Sequence, residues 1–207
     1  FYDKPLVGDV LEDAKRMITE GIEQGAVGFA TGMSYHPQAW SDTDEMVELC
    51  KATHNAGGVY VTHLRDVNPE RGFGGGGIPE ALEIGRRSGV RVHFSHTRTD
   101  EKSAGKVSKI VDLIDKAKGE VDSTLQLYPY PTGSTFALSN LPSYAHDGGP
   151  DKIIERLKDS VQRRRIADAL ESSDKKPTAG TVLSYVGNNS NLEGRTIPSI
   201  AEEKGLS

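Results

Sequence analysis

The sequence predicts an α/β fold, and three observations carry that prediction. Short apolar runs recur along the chain, each is followed by a stretch of helical periodicity, and glycines close most of those stretches. Strands separated by helices of about a dozen residues pair in parallel through right-handed crossovers. That leaves a closed barrel or an open doubly wound sheet, and both bind ligands at the C-terminal ends of their strands.

Residues 9–23 place Val10, Leu11, Ala14, Met17, Ile18 and Ile22 on one side of a helix, with Gly25 as its stop. Residues 25–35, GAVGFATGMSY, are small, apolar and uncharged, as suits a strand buried on both faces, and they end in a Gly, Ser and Tyr cluster able to line a pocket. Ser41 or Asp42 caps the next helix, with Glu45 near the capping-box position and Gly57 and Gly58 beyond its end at about Asn55. Residues 59–64 read as a strand, Pro79 as a first-turn residue of a helix through 87, and Gly89 as its stop. Residues 90–95 form a third strand. A helix over 107–118 turns Val107, Ile110, Val111, Ile114 and Ala117 inward, and residues 121–128 complete four strands.

The character changes at Pro150. Residues 151–172 read as a charged helix pair, and 175–207 as one more strand, a polar turn and a short helix. The chain therefore divides into a partial β/α core, 1–149, and a helical and loop extension, 150–207, appended to the mouth.

Composition narrows the function classes. With 207 residues the chain can bury a real core, yet it falls short of the roughly 250 typical of a complete α/β barrel. A net charge of −5 argues against a nucleic-acid partner, and the run Arg163, Arg164, Arg165 reads as a solvated helix face. No apolar run approaches the roughly 18 residues of a membrane span. The single Cys50 excludes an internal disulfide and fits a cytoplasmic protein; it lies in a helical pattern as a packed core thiol. The chain opens at Phe1 without an initiator methionine and reads as starting partway through something longer.

The chemistry points to His63 and His96, each at the C-terminal end of an apolar run, GVYVTHLRD and VRVHFSH. Neutral imidazole is a good zinc ligand, and strand ends hold a ring rigidly. Two ligands make half a site, because a catalytic zinc takes three protein ligands and an open position; the others are expected from outside this chain. Tyr128 to Thr135, YPYPTGST, is a stiff turn bearing hydroxyls after the fourth strand. GFGGGG at 72–77 lacks the spacing of a phosphate loop and reads as a mobile loop over the mouth. His36, His54, His93 and His146 take structural or surface roles, with His93 alternating away from His96.

Six segments in order, GAVGFATGMSY, YVTHLRD, EALEIGRRSGVRVHFSH, LYPYPTGST, LPSYAHDGG and LEGRTIPSIAEEKG, resemble the N-acyl-D-amino-acid deacylase (D-aminoacylase) family of the amidohydrolase superfamily. The resemblance implies a metal-dependent (β/α)8 barrel of which this chain is an internal fragment carrying roughly strands four to seven. It implies one or two zinc ions, with His63 and His96 as ligands and the general-base aspartate outside the chain. It places Arg98, Tyr128 and Ser134 against a small-molecule substrate, an N-acyl-D-amino acid. Arg98 stands where lysine is usual and Gln126 where aspartate is usual, and Arg can grip a carboxylate with two parallel hydrogen bonds. The chain alone is expected to be inactive and to self-associate through exposed barrel edges. Alternatives are a cyclic-amide hydrolase of the hydantoinase or dihydropyrimidinase kind, a non-catalytic α/β fragment, or a small-carboxylate binding module.

Overall fold

In a computed structural model the described residues are 4–99, 104–173 and 179–206; the first residues of the predicted tail strand region, 175–178, lie outside them. Four parallel strands lie side by side in chain order, β1 Gly28–Gly32, β2 Val59–His63, β3 Arg91–Thr97 and β4 Ser123–Leu127. Each crossover carries one helix, α2 Thr43–Asn55, α3 Gly77–Ser88 and α4 Val107–Lys116, while α1 Asp9–Glu23 precedes β1.

The alternation of each strand decides what faces what. Thr31, Tyr60, Thr62, Val92 and Phe94 are buried toward the helices, where Val47, Cys50, Ile84 and Ile114 meet them. The Tyr60 hydroxyl is buried with a partner, sharing a 2.8 Å hydrogen bond with Thr31 Oγ1. Burial pushes both the Tyr60 phenol and the Cys50 thiol well above their ordinary values, so both stay protonated and Cys50 acts as core. Asp42, rather than Ser41, caps α2: its carboxylate accepts from Glu45 N at 2.8 Å, while Ser41 Oγ donates to Glu45 Oε1 at 3.0 Å. Val107 departs from the inward face read from periodicity, being 52% exposed, because it borders an open cleft with Leu125 and Leu127.

Beyond β4 come α5 Pro150–Lys158, α6 Ser160–Glu171 and α7 Ile197–Glu203. Asp159 ends α5 and caps α6 through Gln162 N at 2.8 Å. The fifth strand read in the tail reduces to an isolated antiparallel bridge, Val182 with Thr196, among the described residues. The intervening GNNSNLEG is rich in turn formers, so too few alternating residues remain on either side to extend a ladder. No described helix is long and apolar enough to cross a membrane.

One buried charge pair ties these elements together. Arg65, two residues past β2, donates from Nε to Glu80 Oε2 at 2.8 Å and from Nη2 to Glu80 Oε1 at 3.1 Å, both side chains being almost fully buried. Arg65 also donates to the carbonyls of Ala39 and Ser41, and Thr43 Oγ1 donates to Glu80 Oε1. The glycine-rich loop closes over this pair. A Cβ on Gly76 would lie 2.9 Å from Arg65 Cδ, and one on Gly72 2.8 Å from Glu80 Oε2. The backbone N–H groups of Gly75, Gly76 and Gly77 are used within the fold, on Gly72, Phe73 and Arg65 carbonyls. Gly72 and Gly76 are therefore glycine because they approach an ion pair closely, which corrects the reading of GFGGGG as a mobile loop.

Arg65→Ala strands a buried carboxylate and should lower stability by about 3–5 kcal/mol. Arg65→Lys should recover only part of this, since an ammonium cannot form the two-pronged bond. Urea denaturation midpoints measure both, and a midpoint unchanged in Arg65→Ala would remove the pair from any structural role.

Candidate active site

His63 is the last residue of β2 and alternates with Val61, so its ring projects from the sheet face opposite the helices. Simple alternation from the buried Phe94 would send His96 to the helix side. It does not go there, because β3 carries a register irregularity between Phe94 and Thr97, and His96 adopts a left-handed φ of 34°. The two rings meet edge to face, with His63 Nδ1 and His96 Nε2 2.9 Å apart. His96 N donates to Gln126 Oε1 at 3.5 Å, linking the irregularity to β4. The same irregularity corrects the reading of His93: it registers with Val61 and so shares the face of His63, where it bonds Thr124 Oγ1 at 2.8 Å.

The remaining predicted residues gather around this pair unequally. The Tyr128 ring is 6.3 Å from that of His96, and the Arg98 guanidinium lies 4.8 Å over the Tyr128 ring. Arg98 is exposed, with its charged end free to exchange water for an anion. Ser134 is exposed in the loop that folds over Arg98; a Cβ on its neighbour Gly133 would be 3.0 Å from an Arg98 Nη. Tyr35 completes the wall, 4.9 Å from His63 and 6.0 Å from Phe136 between ring centres.

Sequence reading missed a second cluster behind Tyr35. His36 and His146 stack at 4.0 Å, and Trp40 meets His36 at 5.0 Å. His36 and Trp40 share the β1–α2 loop, whereas His146 comes from a segment more than 100 residues later, so only the aromatic content of these loops hinted at the cluster. Burial holds the His146 imidazole below its ordinary value.

Two nitrogens each about 2.0–2.1 Å from one tetrahedral zinc lie roughly 3.3–3.4 Å apart, so the observed 2.9 Å need widen by only about half an ångström. The two imidazoles thus fit as a pair of ligands. Among the described residues no group of three or more His, Cys, Asp or Glu side chains gathers.

No family model matches the chain. An N-acyl-D-aspartate deacylase of Alcaligenes xylosoxydans xylosoxydans is 35% identical over 135 residues, 62% of this chain and 26% of that protein. The crystal structure of a D-aminoacylase, described as defining a novel subset of amidohydrolases, superposes with a TM-score of 0.71 at 25% identity, covering 100% of this chain and 36% of that one. This chain is similar to the D-aminoacylases. A further structure, N-acyl-D-glutamate deacylase from Bordetella bronchiseptica with zinc and a phosphonate inhibitor, matches with a TM-score of 0.70 at 19% identity and bears on the fold. The four parallel strands are accordingly an arc of a D-aminoacylase-type (β/α)8 barrel, and the relatives are hydrolases. The chain spans about a quarter of the length of the curated relative.

His146 yields a pH prediction. Its folded-state value lies below the ordinary 6.5, so the unfolded chain binds the proton more readily. Stability is then full above about pH 6.5 and is lost as the pH falls through the folded value. Thermal midpoints measured between about pH 8 and 5 should fall less steeply in His146→Gln; identical slopes would clear His146 of this role.

Proposed function

We propose that this chain carries part of the active site of a zinc-dependent enzyme that hydrolyses the amide bond of N-acyl-D-amino acids. The observation that carries the reading is the approach of His63 and His96 at neighbouring strand ends, achieved through a backbone irregularity that a purely structural histidine does not require. The relatives' activity on N-acyl-D-amino acids and the zinc in one of them support it.

In this reading His63 and His96 hold one or two zinc ions, and the other ligands and the proton-transferring aspartate come from the parent protein beyond these residues. Bound zinc lowers the pKa of water toward about 7 and polarises a carbonyl. Arg98 grips the substrate carboxylate, which its exposed fork over Tyr128 can do in a bidentate manner. Tyr128 or Ser134 donates a hydrogen bond to the amide oxygen as negative charge develops there. Residues 1–149 supply the barrel portion and 150–207 the extension. The protonated, buried Cys50 is in keeping with a cytoplasmic setting.

In the full-length parent, His63→Ala and His96→Ala should each lower zinc content and reduce turnover by at least about 100-fold. N-acyl-D-amino acids should be cleaved in preference to their L forms and to cyclic amides, with zinc quantified in the same preparation. Full metal and activity in both variants would sink the ligand assignment, and preference for cyclic amides would move the parent to the hydantoinase-like alternative.

The outer edges of β1 and β4 have no strand beside them among the described residues. Expressed alone, the 207-residue chain should therefore self-associate, and sedimentation as a clean 22.4 kDa monomer would contradict this.

A further inference from the structure

Phe94 pairs with Leu125 and Thr97 with Leu127, so β3 runs two residues, Ser95 and His96, where β4 runs one, Gln126. That count is a β-bulge. The extra residue turns His96 from the helix side, where alternation from Phe94 would send it, to the side of His63. The bulge is also where the backbone leaves its ordinary range: His96 has a φ of 34°, a region that L-residues enter at a cost and that glycine commonly takes in bulges. The direction of the imidazole is a property of the bulge, and what holds the bulge holds the ring.

Gln126, the residue opposite, is placed to hold it. Its neighbour Leu125 packs against the core, so Gln126 alternates to the other face, together with Thr124. Thr124 marks that face by its 2.8 Å bond to His93, which registers with Val61 and lies on the side of His63. From there the Gln126 carboxamide oxygen accepts from His96 N at 3.5 Å. The bond is long, but it falls on the peptide that a bulge removes from the regular ladder. Just beyond, Tyr128 N donates to the Thr97 carbonyl at 3.2 Å, and the two strands are joined again. Gln126 is exposed, so core packing does not account for it, and being uncharged it accepts the bond without placing a charge beside the imidazoles.

We propose that Gln126 is a positioning residue of the metal site: its carboxamide oxygen holds the bulged peptide at His96 and so aims the His96 imidazole at His63 and at the ion they share. The inference rests on the zinc reading above. Gln126 acts through the backbone of His96, and groups that orient a ligand in this way are worth about 10–100-fold in metal affinity.

The test compares variants of the zinc-loaded full-length parent. Gln126→Leu keeps the bulk and removes the acceptor, and Gln126→Ala, which also lacks it, serves should the first not fold. Gln126→Glu keeps an acceptor oxygen at the same reach. Thr124→Val removes a different hydrogen bond from the same strand and face. Zinc affinity, read by chelator competition, should fall about tenfold or more in Gln126→Leu, and by no more than about threefold in Gln126→Glu and Thr124→Val. Urea midpoints should be alike in Gln126→Leu and Thr124→Val, which separates a lost ligand geometry from a lost fold. With cobalt in place of zinc, the visible absorption of the metal should change in Gln126→Leu and not in Thr124→Val.

A second readout needs no metal. In the chelated parent, nitrogen coupling across the bond between His63 Nδ1 and His96 Nε2 should be seen by NMR, survive Gln126→Glu and vanish in Gln126→Leu. Affinity unmoved in a folded Gln126→Leu, lost equally in Thr124→Val, or not restored in Gln126→Glu overturns the positioning role and leaves the zinc reading intact. A parent that binds no zinc overturns the zinc reading. The coupling then decides alone: its loss in Gln126→Leu sustains the hold of Gln126 on His96, and its persistence there, or its absence from the parent, removes both.

Discussion

Arg65 and Glu80 are held out of water, where each ion costs several kcal/mol of lost hydration, and the pair persists because nearly every hydrogen-bonding position on it is filled. The groups that fill them come from different parts of the chain: the carbonyls of Ala39 and Ser41 from the β1–α2 loop, Thr43 from the first turn of α2, and Glu80 itself from α3. One guanidinium therefore sets the mutual placement of three βα elements. His63 ends its strand two residues earlier. Trp40 lies between the two carbonyls that Arg65 holds, and its own carbonyl accepts from Arg71 at 2.6 Å. Both the His63 imidazole and the Trp40 ring thus inherit their positions from the same buried charge.

The left-handed backbone at His96 is the second constraint, and it opposes local preference. An L-residue in that region gives up about 1–2 kcal/mol relative to ordinary backbone. The bond to His63 and the contact from His96 N to Gln126 offset this. Such outliers are kept where the surrounding structure over-determines them, and they cluster at working sites. The strain is the reason to read the pair as more than two satisfied strand-end histidines.

How much of this the sequence discloses depends on whether the signal is local. The bounds of α1, and the cap of α2 to within Ser41 or Asp42, were readable because periodicity and capping chemistry lie within a few residues. The extent of β1 was not: GAVGFATGMSY is uniformly small and apolar, and nothing in it marks where the chain leaves the sheet at Gly32. His63 follows from alternation alone, whereas the direction of His96 turns on an irregularity with no sequence signature. A mobile glycine loop and a closely packed one have the same composition, and only the arginine beneath 72–77 distinguishes them. Trp40, Phe136 and His146 come together across loops far apart in the chain, so no window of sequence contains the cavity they form.

Tyr35 borders both the histidine pair and the cavity. Its ring folds back over the end of β1, which Gly32 permits, since a Cβ there would stand 2.7 Å from Tyr35 Cδ2. Its backbone is fixed at both ends, Tyr35 N donating to the Gly32 carbonyl at 2.9 Å and Ala39 N to the Tyr35 carbonyl at 2.8 Å. A ring so held stands between the histidine pair and a largely apolar cavity whose lining has no Lys or Arg. The absence of a side chain at Gly32 therefore fixes a ring that borders the histidine pair on one hand and the cavity on the other, so both depend on one close approach at the end of β1.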